Sequence, residues 1–341
     1  MKLLYEHTIR DESGLILLRS KLRAVSRRMG YTNIQRERME LVYNEMVSNQ
    51  LKFAQGSGLV QLWETDTTGR ALELFALDFG PGIADIENAA NDGYTTAGTM
   101  GKGLGTIGRL CNESVVYSIH EDKTEESSWH GVSVWARFTL AKSKKRQLLE
   151  YGTYTRSYQD SIFNGDHIYA CTIGDQIRWL HLDGLGHGKE AADAVDGLQD
   201  IIQLDKPIIE RMAILNARMQ GSRGAVAIMV DANKLDKTLD ISGIGDMICY
   251  LICDGVRQNV SFPQGVLGHA HRSINVVNLP FPQQAILMTA SDGIRRSWTL
   301  EMFPRLWRMH PQFISLFLGY ILGRNNDDKS LMVLRTAPQT K

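Results

Sequence analysis

Two groups of residues could do chemistry. The first is a glycine-rich acidic turn, Leu182-Asp183-Gly184-Leu185-Gly186-His187-Gly188. An Asp at a strand end, followed at once by glycines, can point a carboxylate and a bare backbone carbonyl at one spot, as a hard divalent cation requires. A turn with a purely structural Asp would have the same composition. Acidic residues also border other apolar runs, at Asp166, Asp292 and Asp327-Asp328, which favours a cation site. The second group lies earlier. Glu45 and Asn49 are spaced i, i+4 and share a helix face, with Val42 and Met46 beside them as core. A carboxylate and an amide next to core are costly unless paired or useful; a solvated polar face is the alternative. Further on, an apolar run enters Asp78-Phe79-Gly80-Pro81-Gly82-Ile83. An Asp there can accept a hydrogen bond from an exocyclic amine, and the glycines let a flat ring approach the backbone. Gly101-Lys102-Gly103-Leu104-Gly105-Thr106 then leads into a helix at 107–111, and backbone N–H groups in such a loop suit phosphates. Gly103 to Gly108 also fits GxGxxG, but the strand that a dinucleotide fold needs before it is absent from the polar run 95–102.

Periodicity supplies the elements that must position these residues. An edge strand at 2–9 precedes a helix at 11–29, with Leu15, Leu18, Leu22 and Val25 on one stripe and Gly30 as its stop. A second helix at 33–54 carries Glu45 and Asn49. Strands at 59–64 and 71–77 and a closing hairpin at 115–120 and 132–140 complete the first half. The stretch 141–150 holds Lys142, Lys144, Lys145 and Arg146 and is read as a solvated connector, since no aromatic interleaving supports nucleic-acid binding. In the second half, strands are expected at 152–157, 168–173, 177–182, 225–231, 238–242, 247–253, 285–289 and 331–335. Helices are expected at 189–204, 207–219 and 301–322.

A chain of 341 residues accommodates two domains, each with its own core. The 38 basic and 38 acidic residues cancel, so bulk attraction to nucleic acid or acidic membrane is not expected. No apolar run reaches the roughly 20 residues that cross a bilayer, and residues 1–10 lack a signal-peptide core. The four cysteines stand without a zinc-ligand pattern and read as reduced thiols, which points to the cytoplasm.

The order of the first group, helix with Glu…Asn, strand into DxGxG, a lid at 91–99 with Asp92-Gly93-Tyr94-Thr95-Thr96, then GxGLG, resembles the GHKL ATP-binding fold. Within it, the pattern is similar to the stressosome switch kinases of the RsbT type, over about residues 1–140. The resemblance implies that Asn49 holds Mg2+ against the phosphates of ATP and Asp78 binds the adenine amine. Gly80 and Gly82 shape the adenine wall, and Gly101, Gly103, Leu104, Gly105 and Thr106 cradle the phosphates. Glu45 takes the proton of the attacking Ser or Thr hydroxyl. Phe53 departs from the histidine that related kinases often carry there, with Lys52 left as a nearby positive charge. Residues 150–337 resemble the PPM family of metal-dependent serine/threonine phosphatases, in its SpoIIE branch and most like the RsbX type. By that resemblance Asp183 bridges two Mn2+ or Mg2+ ions, the Gly184 carbonyl binds through water, and Asp166 serves one metal. Asp292 and Asp327 serve the other, with Asp328 as the alternative to Asp327. The ions activate a bridging water for in-line attack on phosphate. His187 is either a proton donor to the leaving group or a turn residue, and Arg223 is a candidate for binding substrate phosphate.

The expected fold class is therefore α+β in two domains: a GHKL (Bergerat) α/β sandwich at 1–140, a linker at 141–150, and a PPM-type β-sandwich flanked by helices at 151–341. The expected function is a bifunctional regulator that phosphorylates and dephosphorylates Ser or Thr on a STAS-domain partner. Two alternatives stand beside it: a phosphatase regulated by ATP bound to a non-transferring first domain, and a non-enzymatic nucleotide-dependent binding switch. Pairing is common among such switch kinases, so a homodimer is an expectation; nucleic acid and membrane are not expected partners.

Overall fold

The computed structural model describes residues 1–10, 13–66, 69–85, 103–123, 127, 129–140, 149–271 and 273–336. Gly101, the lid at 91–99 and most of the linker lie outside the described residues. The chain divides into two units, Met1–Lys145 with Glu301–Met309, and Arg146–Leu300 with His310–Lys341.

The first unit is an antiparallel sheet of β1 (Lys2–Ile9), β2 (Gly58–Thr65), β3 (Ala71–Asp78), β4 (Glu113–Ile119) and β5 (Gly131–Thr139), in the order β1-β2-β3-β5-β4. Helices α1 (Ser13–Met29), α2 (Asn33–Phe53) and α3 (Gly103–Leu110) cover one face. The period of two along β3 turns Leu72, Leu74 and Ala76 toward the helices, where they share a core with Leu22, Met46 and Ile107. A capping box starts α2: the Thr32 N–H donates to Gln35 Oε1 (3.0 Å), and the Gln35 N–H donates to Thr32 Oγ1 (3.3 Å). Its last turn is stapled to the sheet by buried Gln50, whose Nε2 donates to the Leu59 and Leu77 carbonyls (2.9 and 3.1 Å). Helix α3 begins four residues earlier than the expected 107, because Leu104, Ile107 and Leu110 pack into the same core. Tertiary packing there overrides the poor helix propensity of glycine.

The second unit stacks two antiparallel sheets. One contains β7 (Asp166–Ile173), β8 (Gln176–Gly184), β9 (Ala225–Asn233), β10 (Thr238–Ile244) and β13 (Val276–Pro280), in the order β13-β10-β9-β8-β7. The other contains β6 (Leu149–Arg156), β11 (Ile248–Cys253), β12 (Val256–Asn259), β14 (Ile286–Ala290) and β15 (Lys329–Thr336), in the order β12-β11-β14-β15-β6. Alternation on β9 sends Val226, Ile228 and Val230 into the core between the sheets. Ala225, Ala227 and Met229 go to the outer face, which α4 (Lys189–Val195) and α5 (Ile208–Arg218) cover. Helix α6 (Pro311–Ile321) packs on β6 and β15, with the Gln312 amide paired to the backbone N–H and C=O of Thr153 (3.1 and 2.9 Å).

Two expected helices are shorter. The 189–204 helix stops at Val195; Gly197 takes φ 71°, and a turn brings Leu198, Ile201 and Ile202 back into the core. The 301–322 region is α-helical only from Pro311, and Glu301–Met309 belongs to the first unit, where the Tyr117 hydroxyl donates to the Pro304 carbonyl (3.0 Å). Strands β12 and β13 were not expected; both are short and lie at sheet edges, β12 with the polar sequence Val-Arg-Gln-Asn and β13 ending at a proline. No helix among the described residues is long and apolar enough to cross a membrane. All four cysteines are free thiols.

Candidate nucleotide and metal sites

In the first unit, Asp78 ends β3 and is buried. Its Oδ1 accepts from the Gly80 and Val132 N–H groups (both 3.0 Å), while Trp129 Nε1 and His130 Nδ1 donate to the Asp78 and Gly80 carbonyls (3.0 and 2.7 Å). Among the described residues Oδ2 accepts no hydrogen bond. Burial raises the Asp78 carboxyl above its ordinary range, and the two N–H donors pull it back. The turn after it is tight: a Cβ on Gly82, at φ 77°, would overlap the Ile119 carbonyl oxygen, and one on Gly80 would press Ala54 and the Phe53 carbonyl at the end of α2. Glu45 and Asn49 lie half-buried on α2, between buried Val42, Met46 and Gln50; Lys52 and Phe53 are exposed at its end. Gly103, Leu104, Gly105 and Thr106 form the first turn of α3 rather than a loop. The first four N–H groups of a helix lack intrahelical partners and favour anions.

In the second unit, Asp166 and Asp183 face each other across β7 and β8 in direct register. Asp292 follows β14, and its backbone N–H hydrogen-bonds Asp183; Asp327 precedes β15. Burial comes first in raising the carboxyls of Asp166 and Asp183, and neighbouring carboxylates add to it: Asp328 and Asp292 for Asp166, and Asp166, Asp292 and Asp327 for Asp183. Asp292 is likewise raised, by burial and then by Asp327. Among the described residues no three His, Cys, Asp or Glu side chains converge on a single cation position. The donor set is oxygen throughout, which suits Mg2+ or Mn2+ and not zinc.

Asp327 and Asp328 separate by their bonds. Buried Asp328 spends Oδ1 on the Tyr158 N–H (2.6 Å) and Oδ2 on the Gly165 N–H (2.7 Å), clasping the loop before β7 to the start of β15. Gly293 has to be glycine, since a Cβ would overlap the Asp328 carbonyl oxygen. The Gly184 N–H donates to the Gly165 carbonyl (2.9 Å), which brings the two turns together. His187 is exposed and stacks at a tilt on Tyr158 (5.2 Å between ring centroids), and Arg223 pairs loosely with Glu190 (3.4 Å) beside Gly186.

No family model matches the chain. The serine/threonine-protein kinase RsbT of Bacillus subtilis (strain 168) is 30% identical over 118 residues, which make up 34% of this chain and 88% of that protein. The chain belongs to the RsbT family. The membership lies in its N-terminal third, the part that holds Glu45, Asn49 and Asp78. Among solved structures, a chain of the bacterial stressosome, described as a modular system adapted to control secondary messenger signaling, is 22% identical with a TM-score of 0.49, covering 55% of this chain and 99% of that one. RsbX in complex with magnesium is 15% identical with a TM-score of 0.49, covering 57% and 99%.

Beyond the RsbT-like third, sequence patterns missed three residues near the carboxylates: His181, Thr289 and Ser330. All are fully buried, and His181 is hydrogen-bonded to both Thr289 and Ser330. A signal was present, because His181 stands two residues before Asp183 and so shares its strand face.

Proposed function

We propose that this protein is a partner-switching regulator with two opposed active sites, one that adds phosphate to Ser or Thr of a STAS-domain protein and one that removes it. RsbT-family membership supports the kinase half. The observation that carries the phosphatase half is the gathering of Asp166, Asp183, Asp292 and Asp327, each close enough to another to raise carboxyl pKa values. That gathering is unfavourable without cations and favourable with them.

In the first site, Asp78 Oδ2 accepts from the adenine amine, the N-terminus of α3 with Gly101 holds the phosphates, Asn49 holds Mg2+, and Glu45 accepts the proton of the attacking hydroxyl. In the second, Asp166, Asp183, Asp292 and Asp327, with the Gly184 carbonyl beside them, would hold Mn2+ or Mg2+. Asp328 is the clasp that sets Asp327 in place. Mn2+ or Mg2+ bound there supplies an activated water and neutralises the phosphate for in-line attack. A second reading has one observation in its favour: exposed Phe53 ends α2 where related kinases often carry a histidine. In it ATP would control the phosphatase without being consumed.

A phosphate-affinity gel with a STAS-domain protein, ATP, Mg2+ and Mn2+ separates the two. Asp183→Asn accumulates phosphoprotein that wild type removes, and Glu45→Ala makes none but still strips a pre-phosphorylated sample. If no variant makes phosphoprotein while wild type strips it and ATP alters the rate, the regulated phosphatase is correct.

A further inference from the structure

His181 lies on β8 two residues before Asp183 and two after Trp179, whose ring is in the core between the sheets. Its imidazole therefore enters an apolar sandwich, where a polar ring is costly unless both nitrogens are bonded. Both are. Nδ1 lies 2.9 Å from Thr289 Oγ1 on β14, and Nε2 lies 2.7 Å from Ser330 Oγ on β15. Ser330 Oγ in turn donates to Asp166 Oδ2 (2.7 Å). His181, Thr289 and Ser330 are fully buried, and Asp166 is 3% exposed.

A serine hydroxyl has a single proton. With Asp166 ionised, as a bound cation requires, Ser330 gives it to that carboxylate and so can only accept from His181, which places the ring hydrogen on Nε2. Nδ1 is then the acceptor and takes the Thr289 proton. The bonds run one way, Thr289 to His181 to Ser330 to Asp166. A second hydroxyl converges on the same carboxylate: the Ser330 N–H donates to Ser291 Oγ (3.1 Å), and Ser291 hydrogen-bonds Asp166 through its side chain. A cross-link that merely joined the two sheets would have no need to end on a carboxylate of the cation site.

We propose that His181 is a positioning residue for that site: by fixing the direction of the Ser330 hydroxyl, it holds the Asp166 carboxylate in one orientation toward a divalent cation beside Asp183. This rests on the metal-dependent reading of the second unit. Partners of this kind are worth roughly 10- to 100-fold in metal affinity where their removal has been compared.

The test is a Mn2+ titration of the full chain, freed of metal by chelation and followed by the electron paramagnetic resonance of free Mn2+, with melting curves in chelator to confirm folding. Ser330→Ala and His181→Phe are expected to bind Mn2+ about 10- to 100-fold more weakly than wild type. His181→Gln stays close to wild type, since its amide can donate toward Ser330 and accept from Thr289. Nitrogen-15 spectra of wild-type imidazoles are expected to show His181 with its hydrogen on Nε2. The proposal is overturned if folded Ser330→Ala and His181→Phe bind Mn2+ like wild type, if His181→Gln is as weak as His181→Phe, or if the hydrogen sits on Nδ1. Should His181→Phe not fold, Ser330→Ala and the tautomer decide. If wild type itself binds no Mn2+, the metal-dependent reading has failed, a result distinct from variants that bind as well as wild type.

Discussion

Asp183 holds a carboxylate where burial and three neighbouring carboxylates oppose its charge. The sign of the consequence follows from linkage. A native carboxyl raised above its unfolded value binds its proton more tightly in the folded state, so its stabilising contribution is present below about pH 4 and is lost as pH rises toward the folded value, about 9. In metal-free protein, Asp183→Asn should therefore be more stable than wild type by about 1–3 kcal/mol at pH 8, with a smaller gap at pH 5. Mn2+ at about a thousandfold excess over the wild-type Kd reverses the order, because wild type then gains about 4.1 kcal/mol of binding energy that the variant lacks. Calorimetry at both pH values, with chelator and with Mn2+, checks this; a variant less stable than wild type in chelator at pH 8 would refute the mutual repulsion. Asp183, Asp166, Asp292 and Asp327 were legible in the sequence because acidic residues at strand ends beside glycine are a local pattern. His181 was not, because its partners Thr289 and Ser330 are more than a hundred residues away and look like ordinary strand residues.

Helix α2 illustrates what local signals can specify. The Thr32–Gln35 capping box and the positive-φ residues Gln55 and Gly56 bound it, and the sequence expectation of 33–54 differs from Asn33–Phe53 by one residue. Thr32→Ala should cost about 1 kcal/mol, read by chemical denaturation with an unchanged m-value. Helices α4 and α6 were less legible. Apolar residues continue past Val195 and precede Pro311, but in the fold those residues are buried by turns rather than by a continuing helix. The seat of α6 depends on Gly152, where a Cβ would overlap the backbone of Gln312. Gly152→Ala should destabilise the second unit by about 1–3 kcal/mol and displace α6 from β6, measurable as faster amide exchange at Thr153.

At the scale of the whole molecule, the two units do not follow the chain in simple succession. Glu301–Met309 leaves the second unit to join the first, where buried Tyr117 bonds to Pro304. A fragment ending at residue 145 lacks that segment and should melt at least about 4 °C below the same unit in the intact chain, as calorimetry of both would show. Equal melting temperatures would mean that the segment adds nothing to the first unit. The sequence by itself determined the two motif groups and most of their strand and helix settings. Those features depend on spacings of a few residues, which helix and strand periods convert directly into shared faces. Only the tertiary structure decided that the Asp328 carboxylate clasps the Tyr158 and Gly165 N–H groups, that α3 starts at Gly103, and that a buried histidine stands behind Asp166. Each of these depends on which distant strands become neighbours, and burial and hydrogen-bond partners exist only once those strands have met.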